Sequence, residues 1–382
     1  MRAPTSVRSI SSPAHVAALA AIVVTLAAAF GAAQPAVAPA ANVVLVTLDG
    51  ARWQDIFGGV DLDILRSVSG DTPVESTPTY KRFWAPTAAA RRAKTMPFLW
   101  GTLVADNGVI FGNRALGSRM VVANTKKFSY PGYSELLTGS PHDDVITSND
   151  NKRYGFLTVL EWLRRDLALA KDQVAVFGSW ETFQSISESQ AGTIAINAGY
   201  QAFAHPDPEI RTLSALQFLA PSGFDGARHD VYTFRFGFAH LSTAKPRVLY
   251  LALNETDDWA HEKHYDLVFD ALARTDTQLE QLWNWLQSDP QYRGRTTLIL
   301  TVDHGRGRTP ADWMSHGEKI DGAEEIWLGC FGPTVGARGE AGAGELLYQR
   351  QVAATVAGVL GRDFRAGAPG AAPPIGACTG AR

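Results

Sequence analysis

Six residues of the 382-residue chain combine carboxylate and imidazole at spacings suited to metal binding: Asp49, Asp257, His261, Asp303, His304 and His316. Asp257 and His261 stand four apart in NETDDWAHEKH, so on a helix they face the same side. Asp303 and His304 are adjacent in TVDHGRGR, and His316 follows in MSHGEK. Each fragment alone reads as a turn or a helix cap. Together they form a mixed Asp/His set. Such sets suit zinc or manganese, whereas calcium and magnesium prefer all-oxygen shells. Six ligands are too many for one tetrahedral ion and suffice for two, the arrangement that supports in-line displacement at phosphorus.

A nucleophile is offered by FSYPGYSELLTG, which holds Ser129 and Ser134. Ser129 precedes a Pro131–Gly132 turn and a helix-like YSELL, so it sits where the positive end of a helix favours an anion. Ser134 falls inside the helix and is the weaker choice.

These residues need a scaffold that brings them together. Val43–Leu48, Gln173–Phe177, Arg247–Leu253, Thr297–Val302 and Ile326–Phe331 are apolar throughout and read as buried strands. Helical stretches lie between them at Gly155–Leu169, Val268–Trp285 and Gln349–Leu360. The alternation predicts an α/β fold with a mostly parallel central sheet and helices on both faces. Ligands of such sheets bind beyond the carboxyl ends of the strands. Asp49, Asp257, Asp303 and His304 follow strand ends in this reading. Asp61–Lys94 and Gly199–Ala244 break the alternation and are expected to be small cap or loop insertions.

Arg2 and Arg8, an apolar run near Val16–Phe30, and small residues ending at Ala33, Ala38 or Ala40 have the layout of a secretory signal peptide over 1–40. That predicts an exported, periplasmic or secreted catalytic domain over 41–364, free of the membrane after cleavage, and an Ala/Gly/Pro-rich tail over 365–382. In an oxidising compartment Cys330 and Cys378, the two cysteines, are expected to form a disulfide. Hydrophobic residues make up 46% and charged residues 19%, which fits a packed globular protein. A net charge of −3 gives no global field to hold duplex nucleic acid or an anionic membrane surface. The expected partner is a small phosphate ester; the sequence sets no oligomeric state.

The ordered set LDG, S-Y-P-x-x-S-x-L-L-T-G, D-x-x-x-H, DHG and HG, running from about Asn42 to Phe331, resembles the alkaline phosphatase superfamily. It is most similar to the nucleotide pyrophosphatase/phosphodiesterase-like branch. The resemblance implies that Asp257, His261 and His316 bind one ion. Asp49, Asp303 and His304 bind the other, with Ser129 Oγ beside it as nucleophile and ligand. It implies two divalent transition-metal ions, zinc first and manganese second, and hydrolysis of a phosphate mono- or diester through a phosphoseryl intermediate. The branch usually has threonine as nucleophile, and an Asn after the following proline; here Ser129 and Gly132 stand there. A second family Asn, which contacts the phosphoryl group, corresponds to Asn151, with Asn149 as the alternative; Arg306 or Arg308 is expected to hold non-bridging oxygens. Sulfatases need Arg four residues after the nucleophile, where this chain has Tyr133. A sulfatase, a phosphomutase and a non-catalytic binding protein are the alternatives.

Overall fold

The computed structural model describes residues 40–380, together with Met1 and Pro4; the expected signal peptide lies outside the described residues, apart from these two and Ala40. Among the described residues, eleven strands follow in chain order: β1 (Asn42–Leu48), β2 (Gly108–Phe111), β3 (Met120–Val121), β4 (Val174–Gly178), β5 (Ala195–Ala198), β6 (Val248–Leu253), β7 (Thr296–Thr301), β8 (Glu325–Ile326), β9 (Leu328–Phe331), β10 (Gly339–Glu340) and β11 (Leu347–Tyr348). Eight of them form one sheet in the order β10-β2-β9-β7-β1-β6-β4-β5, and β11-β3-β8 form a small second sheet.

The middle of the large sheet is parallel: β1 pairs with both β6 and β7, and β4 pairs with β6. Every residue of β1, β4, β6 and β7 is buried. Their β-branched and aliphatic side chains lose water on both faces, which is why these runs are apolar without alternation. The register sets Leu48 opposite Leu253 and Thr47 opposite Thr301, so three strands end level with one another. β9 runs antiparallel between β7 and β2. The run Ile326–Phe331, expected to be one strand, is divided between β8 and β9. Trp327 is the joint: its ring is fully buried and its indole N–H donates to the Ala51 carbonyl at 2.9 Å. β2 and β5 were not expected; they are four residues each and lie toward the sheet edges.

The expected helices are present with shifted bounds. Val159–Asp166 starts at a capping box formed by Thr158 and Glu161. The long helix spans Tyr265–Ser288, and Val352–Val359 follows a single 3-10 turn, Gln349–Gln351. Both insertions are helical rather than looped. Asp61–Lys94 contains Leu62–Val68 and Pro78–Phe83 and most of Ala88–Thr95. It packs on the long helix, where Phe83 meets Phe269 at 5.7 Å and the Tyr265 hydroxyl accepts from the Asp61 N–H at 3.0 Å. Gly199–Ala244 contains Pro208–Leu219 and Asp230–Ala244. Among the described residues, no helix is long and apolar enough to cross a membrane.

The tail is part of the core. Ala371, Ile375 and Cys378 are buried, and a disulfide joins Cys378 to Cys330 in β9, with the Cα atoms 5.7 Å apart. The bridge spans a sequence separation of 48, for which chain-entropy reasoning allows about 4 kcal/mol of stabilisation as an upper figure. Mass spectrometry without reduction is expected to find the Cys330 and Cys378 peptides linked. Cys378→Ala is expected to lower Tm by several degrees. Free thiols in protein recovered from an oxidising compartment, or an unchanged Tm, contradict the prediction.

Candidate active site

The level ends of the central strands create one cluster of polar groups. Asp49 leaves β1, and its N–H still donates to the Leu253 carbonyl of β6 at 2.9 Å. After β6 the chain turns at Asn254 into the helix Glu255–His261, which carries Asp257 and His261. Asp303 and His304 leave β7. His316 returns from the following loop. Asp49, Asp257, Asp303 and His304 are all buried in a fold that offers them little water.

His304 is the hub. Its Nε2 lies 3.4 Å from Asp49 Oδ1, 3.4 Å from Asp303 Oδ2 and 3.8 Å from Asp257 Oδ1. Its Nδ1 lies 2.9 Å from the Gly305 carbonyl, an acceptor only, so Nδ1 carries a proton and Nε2 faces the carboxylates. His316 repeats the arrangement, with Nδ1 3.3 Å from the Lys127 carbonyl and Nε2 2.9 Å from His261 Nε2. His261 Nε2 is also 3.1 Å from Asp257 Oδ2. Two groups have the compactness of metal sites among the described residues: Asp49–Asp303–His304 and Asp257–His304–His316. The expected division placed His304 in the first group alone and gave His261 to the second. In the structure His304 lies against both, and His261 stands at the more exposed edge.

Outer contacts fix the carboxylates. Tyr133 O–H donates to Asp49 Oδ2 at 2.9 Å, the Gly50 N–H donates to Asp303 Oδ1 at 3.0 Å, and Gln349 donates to the Val302 and Asp303 carbonyls. After these bonds Asp49 Oδ1 and Asp303 Oδ2 remain buried with no hydrogen-bond partner. Both face His304 Nε2. Burial, followed by the repulsion of Asp49, pushes the Asp303 carboxyl up to about 8. Burial opposes a charge on His304, yet Asp303 and Asp49 outweigh it and raise the imidazole to about 9. Burial and the neighbouring cations hold His316 well below the ordinary histidine range, and burial with His304 lowers His261. Carboxylate oxygens without partners, beside imidazoles whose Nδ1 faces a backbone carbonyl, are a donor set that a divalent cation fits once it displaces the proton on His304.

Ser129 is the first residue of the helix Ser129–Thr138, and its Oγ lies 3.4 Å from His304 Nε2. Gly132 permits that approach, because a Cβ there would meet the Asp303 carbonyl oxygen at 2.5 Å. Ser134 lines a small internal cavity with Tyr130 and Thr138, remote in role from the carboxylates. Asn149 Oδ1 accepts from the Tyr130 N–H at 2.9 Å, one residue past Ser129. Asn151 Oδ1 accepts from the Ser185 hydroxyl at 2.6 Å. Both asparagines line a cleft of about 540 Å³ with Ser129, Asp257 and His261.

Arg306 does not face that cleft. It is buried, its guanidinium pairs with Asp257 Oδ1, and it donates to the Met314 carbonyl at 2.5 Å. Arg308 pairs with Glu325 at 2.6 Å, away from the cluster. Neither arginine is placed to hold substrate oxygens; Arg306 steadies Asp257 instead. Arg306 is fully buried and its guanidinium has no room to swing, which the spacing DHGRGR does not convey.

Tyr133 and Asp230 were not singled out from sequence. Tyr133 lies one helical turn beyond Ser129, a spacing that hints at a shared face. Asp230 carries no such signal. Its carboxylate accepts from the N–H groups of Asn254 at 2.8 Å and Glu255 at 3.1 Å, at the start of the helix that carries Asp257 and His261. In return Glu255 accepts from the Asp230 N–H at 3.3 Å and from His229 Nδ1 at 2.8 Å.

The fold and this cluster define a hydrolase of the alkaline phosphatase superfamily, whose members use divalent metals. Within it, the type I phosphodiesterase / nucleotide pyrophosphatase family matches residues 75–326, and the chain belongs to that family. Solved structures share the fold at low identity. A 2-O GAG sulfatase aligns with 90% of this chain and 75% of its own at 15% identity and a TM-score of 0.54. A phosphonate monoester hydrolase of Silicibacter pomeroyi aligns with 90% of this chain and 77% of its own at 12% identity and a TM-score of 0.53. A mutant of the alkaline phosphatase PafA aligns with 86% of this chain and 97% of its own at 10% identity and a TM-score of 0.51. Comparison with curated protein sequences finds no match.

The reciprocal contacts of Asp230 yield a prediction. Asp230→Ala leaves two buried N–H groups unpaired and is expected to cost roughly 1–3 kcal/mol of stability. It is also expected to weaken divalent-metal affinity about tenfold or more, because the helix bearing Asp257 and His261 loosens. Chelator competition reads the second effect; unchanged affinity would show that the clamp is structural only.

Proposed function

We propose that the chain is an exported two-metal phosphodiesterase with Ser129 as nucleophile. The observation that carries this reading is the approach of Ser129 Oγ to His304, beside two buried carboxylate oxygens that lack partners, on the wall of a cleft. One Nε2 lone pair serves one ion. Asp49, Asp303 and His304, with Ser129 Oγ, would therefore hold the first, and Asp257, His316 and His261 the second. The donor chemistry favours zinc, with manganese next. The bound ions supply Lewis acidity, neutralising phosphoryl charge and favouring the serine alkoxide.

The chain's own residues then do the following. Ser129 Oγ attacks phosphorus, the bond to the leaving oxygen breaks, and the phosphoryl group is carried on Ser129. Water releases it in a second displacement, restoring the hydroxyl. Asn151, tied to Ser185, and Asn149, its carbonyl fixed by the Tyr130 N–H, line the cleft and would offer their amide N–H groups to the non-bridging oxygens. Tyr133 and Gln349 hold the Asp49 and Asp303 segment in place.

Two features favour a diester over the related substrates. Among the described residues, the cleft is lined by no lysine or arginine to meet the third charged oxygen of a monoester. Tyr133, standing where a sulfatase needs arginine, spends its hydroxyl on Asp49. Export is supported by the basic-then-apolar start of the sequence and by the Cys330–Cys378 bridge.

Purified protein is expected to carry close to two transition-metal ions per chain, and chelation to abolish diesterase activity. Asp257→Ala is expected to lose metal, while Asp258→Ala retains it. Ser129→Ala is expected to lower kcat by at least about 10³-fold in folded, metal-loaded protein, and Ser129→Thr to keep appreciable activity. Acid quenching during turnover should trap phosphate on the Ser129 peptide. Full activity in Ser129→Ala, or label on Ser134, overturns the assignment.

A further inference from the structure

Glu135 lies on the helix that begins at Ser129 and is fully buried. Its partners are N–H groups rather than a cation. The carboxylate accepts from the Ala123 N–H at 2.9 Å, the Asn124 N–H at 2.7 Å, the Asn124 side-chain amide at 2.8 Å and the Arg350 N–H at 2.9 Å. These donors come from two places. Ala123 and Asn124 open the loop that leads to Ser129. Arg350 follows Gln349, whose amide donates to the Val302 and Asp303 carbonyls at 3.0 and 2.5 Å. One carboxylate thus ties the helix to the loop before it and to the segment that holds Asp303.

The grip passes forward along the loop. With its amide spent on Glu135, Asn124 turns Oδ1 to the Lys127 N–H at 2.7 Å. Lys127 has φ +52°, in the left-handed region that a residue with a side chain seldom occupies and keeps only where its surroundings hold it. Its carbonyl lies 3.3 Å from His316 Nδ1, and its ammonium pairs with Glu324 at 3.1 Å. Phe128 follows as the N-cap, its carbonyl accepting from the Gly132 N–H at 3.0 Å, and Ser129 comes next. The turn at Lys127 therefore sets where Ser129 enters its helix.

Resting on the reading of Ser129 as nucleophile, we infer that Glu135 and Asn124 are positioning residues. They hold the left-handed turn at Lys127, and that turn aims Ser129 Oγ and the His316 ring at the metal-binding cluster. Neither residue lines the cleft, so their effect falls on kcat rather than on substrate affinity.

Glu135→Ala would strand buried donors and report on folding as much as on aim, so Asn124 carries the test. Asn124→Ala removes the bond to Lys127 while Glu135 keeps its backbone donors. The measurement uses full-length, zinc-saturated protein and bis(4-nitrophenyl) phosphate. Asn124→Ala is expected to lower kcat about tenfold or more, with KM unchanged within about twofold. Adding Lys127→Gly is expected to raise kcat again by about threefold or more, because glycine takes the left-handed turn with no side chain to strain. A role in stability alone leaves kcat of the folded, zinc-loaded fraction unchanged. Unchanged kcat, a change confined to KM, or no recovery in the double variant overturns the inference. A crystal structure of Asn124→Ala reads the same claim without turnover. Lys127 is expected to leave the left-handed region and Ser129 Oγ its 3.4 Å contact with His304 Nε2; an undisplaced turn overturns the inference. That displacement in a protein whose parent hydrolyses no diester sinks the hydrolase reading alone; hydrolysis by the parent with kcat unchanged in the variant sinks this one.

Discussion

The crowding of three buried carboxylates around one imidazole is the constraint on which the rest depends. Asp49, Asp257 and Asp303 approach His304 Nε2 from three elements, and two of their oxygens find no donor. Like charges out of water repel strongly, and the raised Asp303 carboxyl is one sign of that repulsion. Such a cluster forms only if the surrounding fold enforces it. The parallel strands do so by ending level, and β7, β1 and β6 contribute their stumps side by side.

Around that cluster lies a layer of residues whose work is holding others. Tyr133 and the Gly50 N–H orient two carboxylates, the Gly305 and Lys127 carbonyls orient two imidazoles, and Arg306 balances Asp257 from behind. The placement of Ser129 depends on an omission: Gly132 presents no side chain, and the helix beginning at Ser129 settles against the Asp303 carbonyl. The layer explains how a costly arrangement of charge can be rigid, since nearly every member is buried and already bonded elsewhere.

Much of this was legible from sequence. The apolar runs of β1, β4, β6 and β7 announce themselves because strands buried on both faces admit little else, and the residues just after three of them carry carboxylates. The order of the metal-type residues and the SYPG segment pointed to the right superfamily and family. Less was legible where a role depends on orientation. DHGRGR does not reveal that Arg306 turns inward to Asp257, nor Arg308 outward to Glu325. The run through Trp327 gave no sign of its division between two sheets, because the indole's partner, the Ala51 carbonyl, is remote in sequence. The helices of the insertions were missed because their apolar positions face other helices piecemeal rather than along one stripe. Asp230 was invisible for a related reason: its bonds run to backbone N–H groups, which leave no trace in residue type.

The segment from Gly199 to Ala244 has two duties that cannot be separated. Its turn at Gly223–Gly226 walls the cleft, and a few residues on, Asp230 grips the start of the helix that carries Asp257 and His261. The wall of the cleft and the hold on the helix bearing Asp257 and His261 are thus written on one short stretch of chain. Exchanging this segment wholesale would alter both at once. Gradual change confined to the turn, with the grip of Asp230 kept, is the route the architecture leaves open.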